Sequence, residues 1–227
     1  MFSFFSPQAL YFGRGQAAQA ATLAAGFGRR VLIVHGSNPA RAAWLTESCI
    51  GAGLDVQTQC CAEEPSLPAI ESALASLKGQ SFDVVVALGG GSVIDFAKAL
   101  AALIPCDGNP LDYLEGVGVG RMLEQSPVPM IALPTTAGTG AEVTKNAVIA
   151  VPQHNVKVSL RDPRMIPNVA IVDAALMEGA PRRISLAAAL DAVTQVIEPF
   201  VSVKSNPMTD ALCRAAIPVG ASALREL

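Results

Sequence analysis

The sequence is poor in charged and aromatic side chains. Charged residues make up 15% and aromatic residues 5% of the 227 positions, whereas about 25% of an average globular domain is charged. The hydrophobic fraction is 51%, which excludes a disordered or solvating chain. A formal net charge of −3, without a basic stripe, predicts that the protein does not bind nucleic acid.

Cysteine and histidine are too sparse for a structural zinc site. There are five cysteines and two histidines, and no two cysteines have CxxC spacing. The odd number of cysteines and the length of the chain argue against a disulfide framework. We therefore predict reduced, mostly buried thiols and a cytoplasmic protein.

Signal-peptide and membrane-span patterns are also missing. The first residues lack a basic segment followed by a long apolar one. The longest apolar stretch, residues 84–106, is interrupted by Gly89–Gly91, Asp95 and Lys98, so it does not read as a membrane span. No membrane partner is expected.

Short apolar runs alternate with alanine-rich helical stretches. Strands are predicted at Val31–His35, Leu54–Gln59, Asp83–Leu88, Val128–Leu133 and Val169–Val172. Helices are predicted between the first four of these strands, at about residues 38–50, 66–77 and 92–104. This alternation predicts an α/β fold with a parallel sheet, and strands that are apolar throughout indicate helices on both faces.

The pattern changes after Gly140. Residues 147–151 and 156–160 predict a β-hairpin, and residues from Ser185 onward are helical. We place an α/β domain at residues 1–183 and the beginning of a helical domain at 184–227, which is too short to form a stable core alone.

The strongest motif is DVVVALGGGSVIDFAKA at residues 83–99. A buried strand runs through Gly89-Gly90-Gly91-Ser92 directly into a helix, where absent Cβ atoms and free N–H groups favour a phosphate. A turn needed only for packing is the alternative. Ser92-x-x-Asp95 also fits a capping box, so Asp95 is interpreted as a cap first and a ligand contact second. Lys98 is interpreted as a solvated helix residue.

A second motif, PTTAGTGAEVTKNAV, follows the strand at 128–133. It places the hydroxyl groups of Thr135, Thr136 and Thr139 on a glycine-hinged loop beyond the carboxyl end of that strand. Ligands of open α/β sheets bind at this edge. A plain surface loop is the alternative, but two such loops after neighbouring strands favour a binding site.

Together, GGGSVIDFAKA and PTTAGTGAEVTKNAVI resemble the iron-containing (group III) alcohol dehydrogenase family, and the likeness runs from ALYFGRG to LDAVTQVIEPFVS. The resemblance implies a Rossmann-like nucleotide domain, an all-helical domain in which this chain stops, and an active site in the cleft between them, a dehydroquinate synthase-like architecture. It assigns the cofactor pyrophosphate to Gly90, Gly91 and Ser92, further phosphate, adenine and nicotinamide contacts to Thr135, Thr136 and Thr139, the nicotinamide and substrate side to Asn146 and Lys157, and the adenine ribose to Leu176.

The metal site departs from the family pattern. The family supplies an Asp, a His four residues later and two further histidines, but here Asp191 is followed by Gln195. The spacing puts both on one helix face. The apolar neighbours of Asp191 indicate a functional role, and an Asp on the solvated face of this helix is an equally good interpretation. An amide oxygen is a weak ligand for Fe²⁺ or Zn²⁺. His35 and His154 lie elsewhere in the sequence, so metal binding is left open.

The loop after the first predicted strand bears on the choice of cofactor. A carboxylate there would bind the adenosine ribose and repel a 2′-phosphate, but Gly36, Ser37 and Asn38 supply none and Arg41 follows. NADP is slightly favoured over NAD.

The expected function is an NAD(P)-dependent oxidoreductase that transfers hydride between nicotinamide and a primary alcohol or aldehyde, in a homo-oligomer. The alternatives are a metal-independent reductase of the maleylacetate reductase type and a non-catalytic nucleotide-binding fragment.

Overall fold

A computed structural model describes all 227 residues, which form two compact units. One, here called the sheet unit, consists of Phe5–Thr135 and Ala141–Leu176. The other, the helical unit, consists of Met1–Phe4, Thr136–Gly140 and Met177–Leu227. The domain boundary predicted after residue 183 falls in the first turn of a helix that begins at Arg182.

The sheet unit is built on six parallel strands: β1 (Ala9–Phe12), β2 (Arg30–His35), β3 (Asp55–Cys60), β4 (Val84–Gly89), β5 (Met130–Pro134) and β8 (Val169–Val172). Their order in the sheet is β1-β8-β5-β4-β2-β3. A separate antiparallel hairpin consists of β6 (Asn146–Val151) and β7 (Val156–Arg161). The predicted α/β class, with its parallel sheet and its hairpin, is confirmed.

Four helices cover the two faces of this sheet. They are α1 (Ala20–Ala25), α2 (Ala43–Gly51), α3 (Leu67–Ser76) and α4 (Gly91–Leu103). Alternate strand residues belong to different cores: Ile33 packs with α1 and α2, whereas Leu32 packs with α3, α4 and the hairpin. Burial on both faces explains why β2, β4 and β5 read as continuous apolar runs.

Strand β1 and helix α1 were not predicted from the sequence. β1 has only four residues and lies at the sheet edge, where Leu10 is 53% and Phe12 79% exposed. Its sequence, ALYF, is apolar at every position and only four residues long, so it lacks the polar–apolar alternation that identifies a half-buried strand. Helix α1 is six alanine-rich residues without a side-chain cap, so it carries little local signal.

The helical unit contains α5 (Arg182–Val201) and α6 (Pro207–Leu224). The Asn206 side chain begins α6 as a capping box, accepting hydrogen bonds from the backbone N–H groups of Met208 and Thr209. No residue of α5 is buried, and Cys213 is the buried residue of α6. By length and composition alone α5 could cross a membrane; a single helix of this kind is weak evidence, since core helices meet the same criterion.

Candidate nucleotide-binding site

The chain reverses its direction across the sheet between β2 and β4. It passes from β2 through α2 to β3 on one side, and then returns through α3 to β4 on the other side of β2. Helices α2 and α4 consequently leave these neighbouring strands on opposite faces. Open α/β sheets bind ligands in the crevice at such a switch point, beyond the carboxyl ends of the strands.

Two loops predicted to bind the cofactor lie at this switch point. Gly36–Asn38 follows β2, and Gly90–Ser92 follows β4, whose Leu88 pairs with His35 at the end of β2. A Cβ on Gly36 would lie 3.8 Å from Cγ2 of Val93 in the first turn of α4. The fold therefore brings together two loops that are more than fifty residues apart in the sequence.

Helix α4 begins without a side-chain cap. Its N-cap residue is Gly90, with φ −74° and ψ −174°, and the first intrahelical bond runs from Ile94 N to Gly90 O at 3.1 Å. Gly90, Gly91 and Ser92 are partly exposed. The N–H groups of the first turn have no acceptor within the helix, and they stand at the positive end of its dipole. This arrangement suits an anionic group.

The predicted Ser92–Asp95 capping box is wrong, because α4 starts one residue earlier than the sequence indicated. Asp95 instead accepts, at Oδ2, a hydrogen bond from Val148 N in β6 at 3.0 Å. Burial raises the pKa of the Asp95 carboxyl, opposed by the Val148 N–H group and the Lys98 ammonium.

Lys98 is buried, not solvated as predicted. The residue is 1% exposed, because α4 is enclosed by the sheet and the hairpin and ten of its 13 residues are buried. Burial lowers the pKa of Lys98 to about 8 against the attraction of Asp95 and Glu142. Burial also raises the pKa of Glu142, whose Oε2 is buried without a hydrogen-bond partner. No local pattern in the sequence indicated this burial, because the hydrogen-bond partners of Lys98 lie at the start of the hairpin, far along the chain.

The loop after β5 continues the sheet pairing next to the start of α4. Thr135 N donates to Gly89 O at 3.0 Å, so the first of the three predicted threonines lies beside the glycine-rich junction. Thr136 and Thr139 belong to the helical unit. Within that unit the neighbouring Gly138 packs against α5, and a Cβ there would lie 2.7 Å from Ala188 O.

The loop after β2 contacts Leu176, which the family resemblance placed near the adenine ribose. Arg41 donates from its guanidinium to Leu176 O at 3.4 Å. Asn38 Oδ1 accepts from Ala40 N at 3.1 Å and caps the short 3₁₀ helix that follows. Gly36, Ser37 and Asn38 bring no carboxylate to this part of the crevice.

Two adjacent cysteines at the end of β3 also border the crevice, and the sequence reasoning did not assign them there. Cys60 Sγ lies 3.6 Å from Gly36 O, and Cys61 Sγ lies 3.7 Å from Ser92 O. Burial raises the pKa of the Cys61 thiol to about 12. Their place after a predicted strand was the available signal.

Asn146 and Lys157 do not face each other across the hairpin. Asn146 pairs with Arg161, whereas Lys157 pairs with Ala150. The Lys157 ammonium forms an exposed ion pair with Glu64. The cofactor contacts assigned to these two residues therefore stay predictions, as do those of the threonines.

The residues predicted to hold a metal do not make up a metal site. Asp191 and Gln195 lie on one face of α5, where Gln195 Nε2 donates to Asp191 Oδ2 at 3.1 Å, and both are exposed. No group of three His, Cys, Asp or Glu side chains in the 227 residues could hold a metal ion. One carboxylate and one amide do not fit iron or zinc, which require about three protein ligands.

The doubly wound parallel sheet and the glycine-rich start of α4 define a Rossmann-like α/β protein. The chain belongs to the iron-containing alcohol dehydrogenase family, whose model matches residues 7–174. The resemblance seen in the two motifs is confirmed.

This chain matches only part of the length of the relatives it resembles. The chain is 39% identical to long-chain-alcohol dehydrogenase 1 of Geobacillus thermodenitrificans over 163 residues, covering 72% of this chain and 40% of that protein. It is 32% identical to the NAD-dependent methanol dehydrogenase of Bacillus methanolicus, covering 96% of this chain and 57% of that protein. The crystal structure of a 1,3-propanediol oxidoreductase superposes with a TM-score of 0.91 at 27% identity, over 100% of this chain and 59% of that one.

Proposed function

We propose that this chain binds a nicotinamide dinucleotide and forms part of an oxidoreductase that acts on primary alcohols or aldehydes. The observation that carries the proposal is the uncapped start of α4 at the switch point of the sheet. Membership of the iron-containing alcohol dehydrogenase family supports the reaction class. The similarity to a long-chain-alcohol dehydrogenase and to an NAD-dependent methanol dehydrogenase supports nicotinamide chemistry on alcohols.

In this proposal the diphosphate of the nucleotide lies against the backbone of Gly90, Gly91 and Ser92. Each residue lacks a bulky side chain, and Gly90 has a backbone conformation open to any residue, so its conformation alone does not require glycine. Close approach of an anion to unpaired N–H groups supplies a reason. Thr135 would add a hydroxyl group from the neighbouring loop.

The adenosine end would lie at Gly36–Asn38 and Leu176. A ribose 2′-phosphate would meet no carboxylate in this loop and would have the Arg41 guanidinium nearby. These charges support a preference for NADP over NAD, because a carboxylate at this place would repel the additional phosphate.

The nicotinamide end would extend toward Asn146 and Lys157 of the hairpin. A bound nicotinamide supplies or accepts a hydride at its C4 atom, and the protein binds and orients the ring.

The protein would also work as a homo-oligomer, for which the exposed side chains of Leu10 and Phe12 on edge strand β1 offer an apolar surface.

A reductase that works without a metal is a second candidate function. It is favoured by one observation, the replacement of the family's histidine by Gln195 beside Asp191. In that case, orientation of the substrate and the nicotinamide by the protein would carry the reaction.

The test measures by calorimetry the affinity for NADH and NADPH of three proteins: the wild type, Gly91→Val and the control Gly51→Val. Gly51 ends α2, and a Cβ there meets nothing within 4 Å. The valine at residue 91 should occupy the place of the diphosphate and weaken binding of NADH and NADPH by about tenfold or more, which is about 1.4 kcal/mol. Unchanged affinity in a folded Gly91→Val protein would contradict the assignment.

A further inference from the structure

The side chain of Lys98 connects α4 to the beginning of the β6–β7 hairpin. Its Nζ donates to Thr144 Oγ1 at 2.7 Å and to Asn146 O at 3.0 Å. The same Nζ lies 3.8 Å from Asp95 Oδ1. Asp95 adds the bond from Val148 N at 3.0 Å. Two charged residues of one helix therefore hold three alternate residues, Thr144, Asn146 and Val148, at the start of the hairpin.

These bonds are not required to attach the hairpin to the core. Ala147, Ile149 and Val151 of β6 are each 0% exposed, so apolar packing already holds the strand against the sheet unit. Burying a charged lysine has a desolvation cost that an apolar residue of similar size would avoid. Hydrogen bonds, unlike apolar contacts, are directional, and they fix where the strand lies along α4.

The connection begins close to the proposed phosphate site. Asp95 lies one helical turn beyond Ser92, and Lys98 lies one turn beyond Asp95, on the same side of α4. A shift of the hairpin along α4 would therefore change the distance from the Gly90–Ser92 backbone to Asn146. Because Lys98 is enclosed, it can act on a bound nucleotide only through the segment it holds.

We infer that Lys98, supported by Asp95, is a positioning residue that fixes the hairpin relative to the Gly90–Ser92 phosphate site, so that the nicotinamide riboside half of a bound dinucleotide is received in one orientation. The inference rests on the proposed function, since it requires a nucleotide at the start of α4. It separates the adenosine diphosphate half, bound by the loops after β2 and β4, from the half that depends on the hairpin.

The experiment compares two probes by calorimetry: ADP, which ends at the diphosphate, and NADH, which continues beyond it. The variants are Lys98→Met, Thr144→Val, which removes the hydroxyl acceptor of Lys98, and the exposed control Lys78→Met. We expect Lys98→Met to weaken NADH binding by at least about fivefold while ADP binding stays within about twofold of wild type. Thr144→Val should change the same ratio in the same direction, and Lys78→Met should not.

Parallel loss of both affinities would overturn the inference, because general loosening of the fold does not distinguish the probes. Unchanged NADH affinity in a folded Lys98→Met protein would overturn it as well. If Lys98→Met does not fold, Thr144→Val decides by the same two affinities. A wild-type chain that binds neither ADP nor NADH would contradict the proposed function itself, and the inference with it.

Discussion

A Cβ added to Gly89, the last residue of β4, would lie 2.5 Å from the Cβ of Val93 in the first turn of α4. Gly89 is therefore a packing glycine: without it, α4 could not leave the strand at this angle. The neighbouring Gly90 has an ordinary extended conformation. Packing thus explains why residue 89 is a glycine. It does not explain Gly90, and we propose that the exposed backbone of Gly90 faces the diphosphate.

Gly89→Ala should destabilise the protein. The added methyl group meets a β-branched side chain on a buried helix, and such overpacking costs about 1–3 kcal/mol. Urea denaturation measures the loss, with Gly51→Ala as the control, because a Cβ at residue 51 has free space. Equal stability of Gly89→Ala and wild type would mean that α4 can shift at no cost.

Gly36→Asp should change the choice of cofactor. Gly36 does not have the left-handed, positive-φ conformation that favours glycine, and a Cβ there makes only an ordinary contact with Val93. The variant should therefore fold. Its carboxylate would repel a 2′-phosphate and accept hydrogen bonds from a ribose diol. The ratio of the dissociation constants for NADPH and NADH should rise by about tenfold.

Gly36→Asn is the uncharged control for this substitution. It adds a side chain of the same size, so it should leave the ratio nearer to that of wild type. If Gly36→Asp does not raise the ratio, the adenosine end lies elsewhere along the crevice.

Periodicity predicted the central strands to within about two residues, because β2, β4 and β5 are buried on both faces and no polar residue interrupts them. The same reasoning missed β1, whose side chains alternate between partial burial and exposure over only four residues. Local patterns therefore identify strands best where a longer apolar run is buried on both faces.

The two errors at Asp95 and Lys98 have a common physical cause. Ser92-x-x-Asp95 is a sound local capping pattern, and a lysine in a helix is usually solvated. Both residues instead bond to β6, which lies about fifty residues further along the chain. A partner this distant in sequence leaves no local signal.

The stability of the protein should depend on pH through Lys98. Burial lowers the pKa of its ammonium from 10.5 to about 8, so between these values the unfolded chain holds a proton that the folded chain has released. Stability from this group therefore rises with pH in that window. Relative to Lys98→Met, wild type should gain about 2 kcal/mol between pH 8 and pH 9.5.

Urea denaturation of wild type and Lys98→Met across this pH range measures the difference, in which the titration of other groups largely cancels. A difference for Lys98→Met that is flat, or that falls as the pH rises, would mean that the ammonium is not penalised by burial.

The last prediction concerns Asp191 and Gln195, and it applies to the 227-residue chain. We expect no stoichiometric iron or zinc in the purified protein, because a catalytic site of this kind needs about three protein ligands and an open position, whereas α5 presents one carboxylate and one amide.

Gln195→His would place an imidazole four residues from Asp191 on the same face, and imidazole binds divalent transition metals better than an amide does. Zinc affinity, measured by competition with a chromophoric chelator, should therefore rise by about tenfold in Gln195→His relative to Gln195→Ala. The alanine variant is the appropriate reference, since it releases Asp191 from its hydrogen bond without adding a ligand. Stoichiometric metal in the wild-type chain by elemental analysis, lost on Asp191→Asn, would show that Asp191 has ligands other than Gln195, supplied by water or by a second chain.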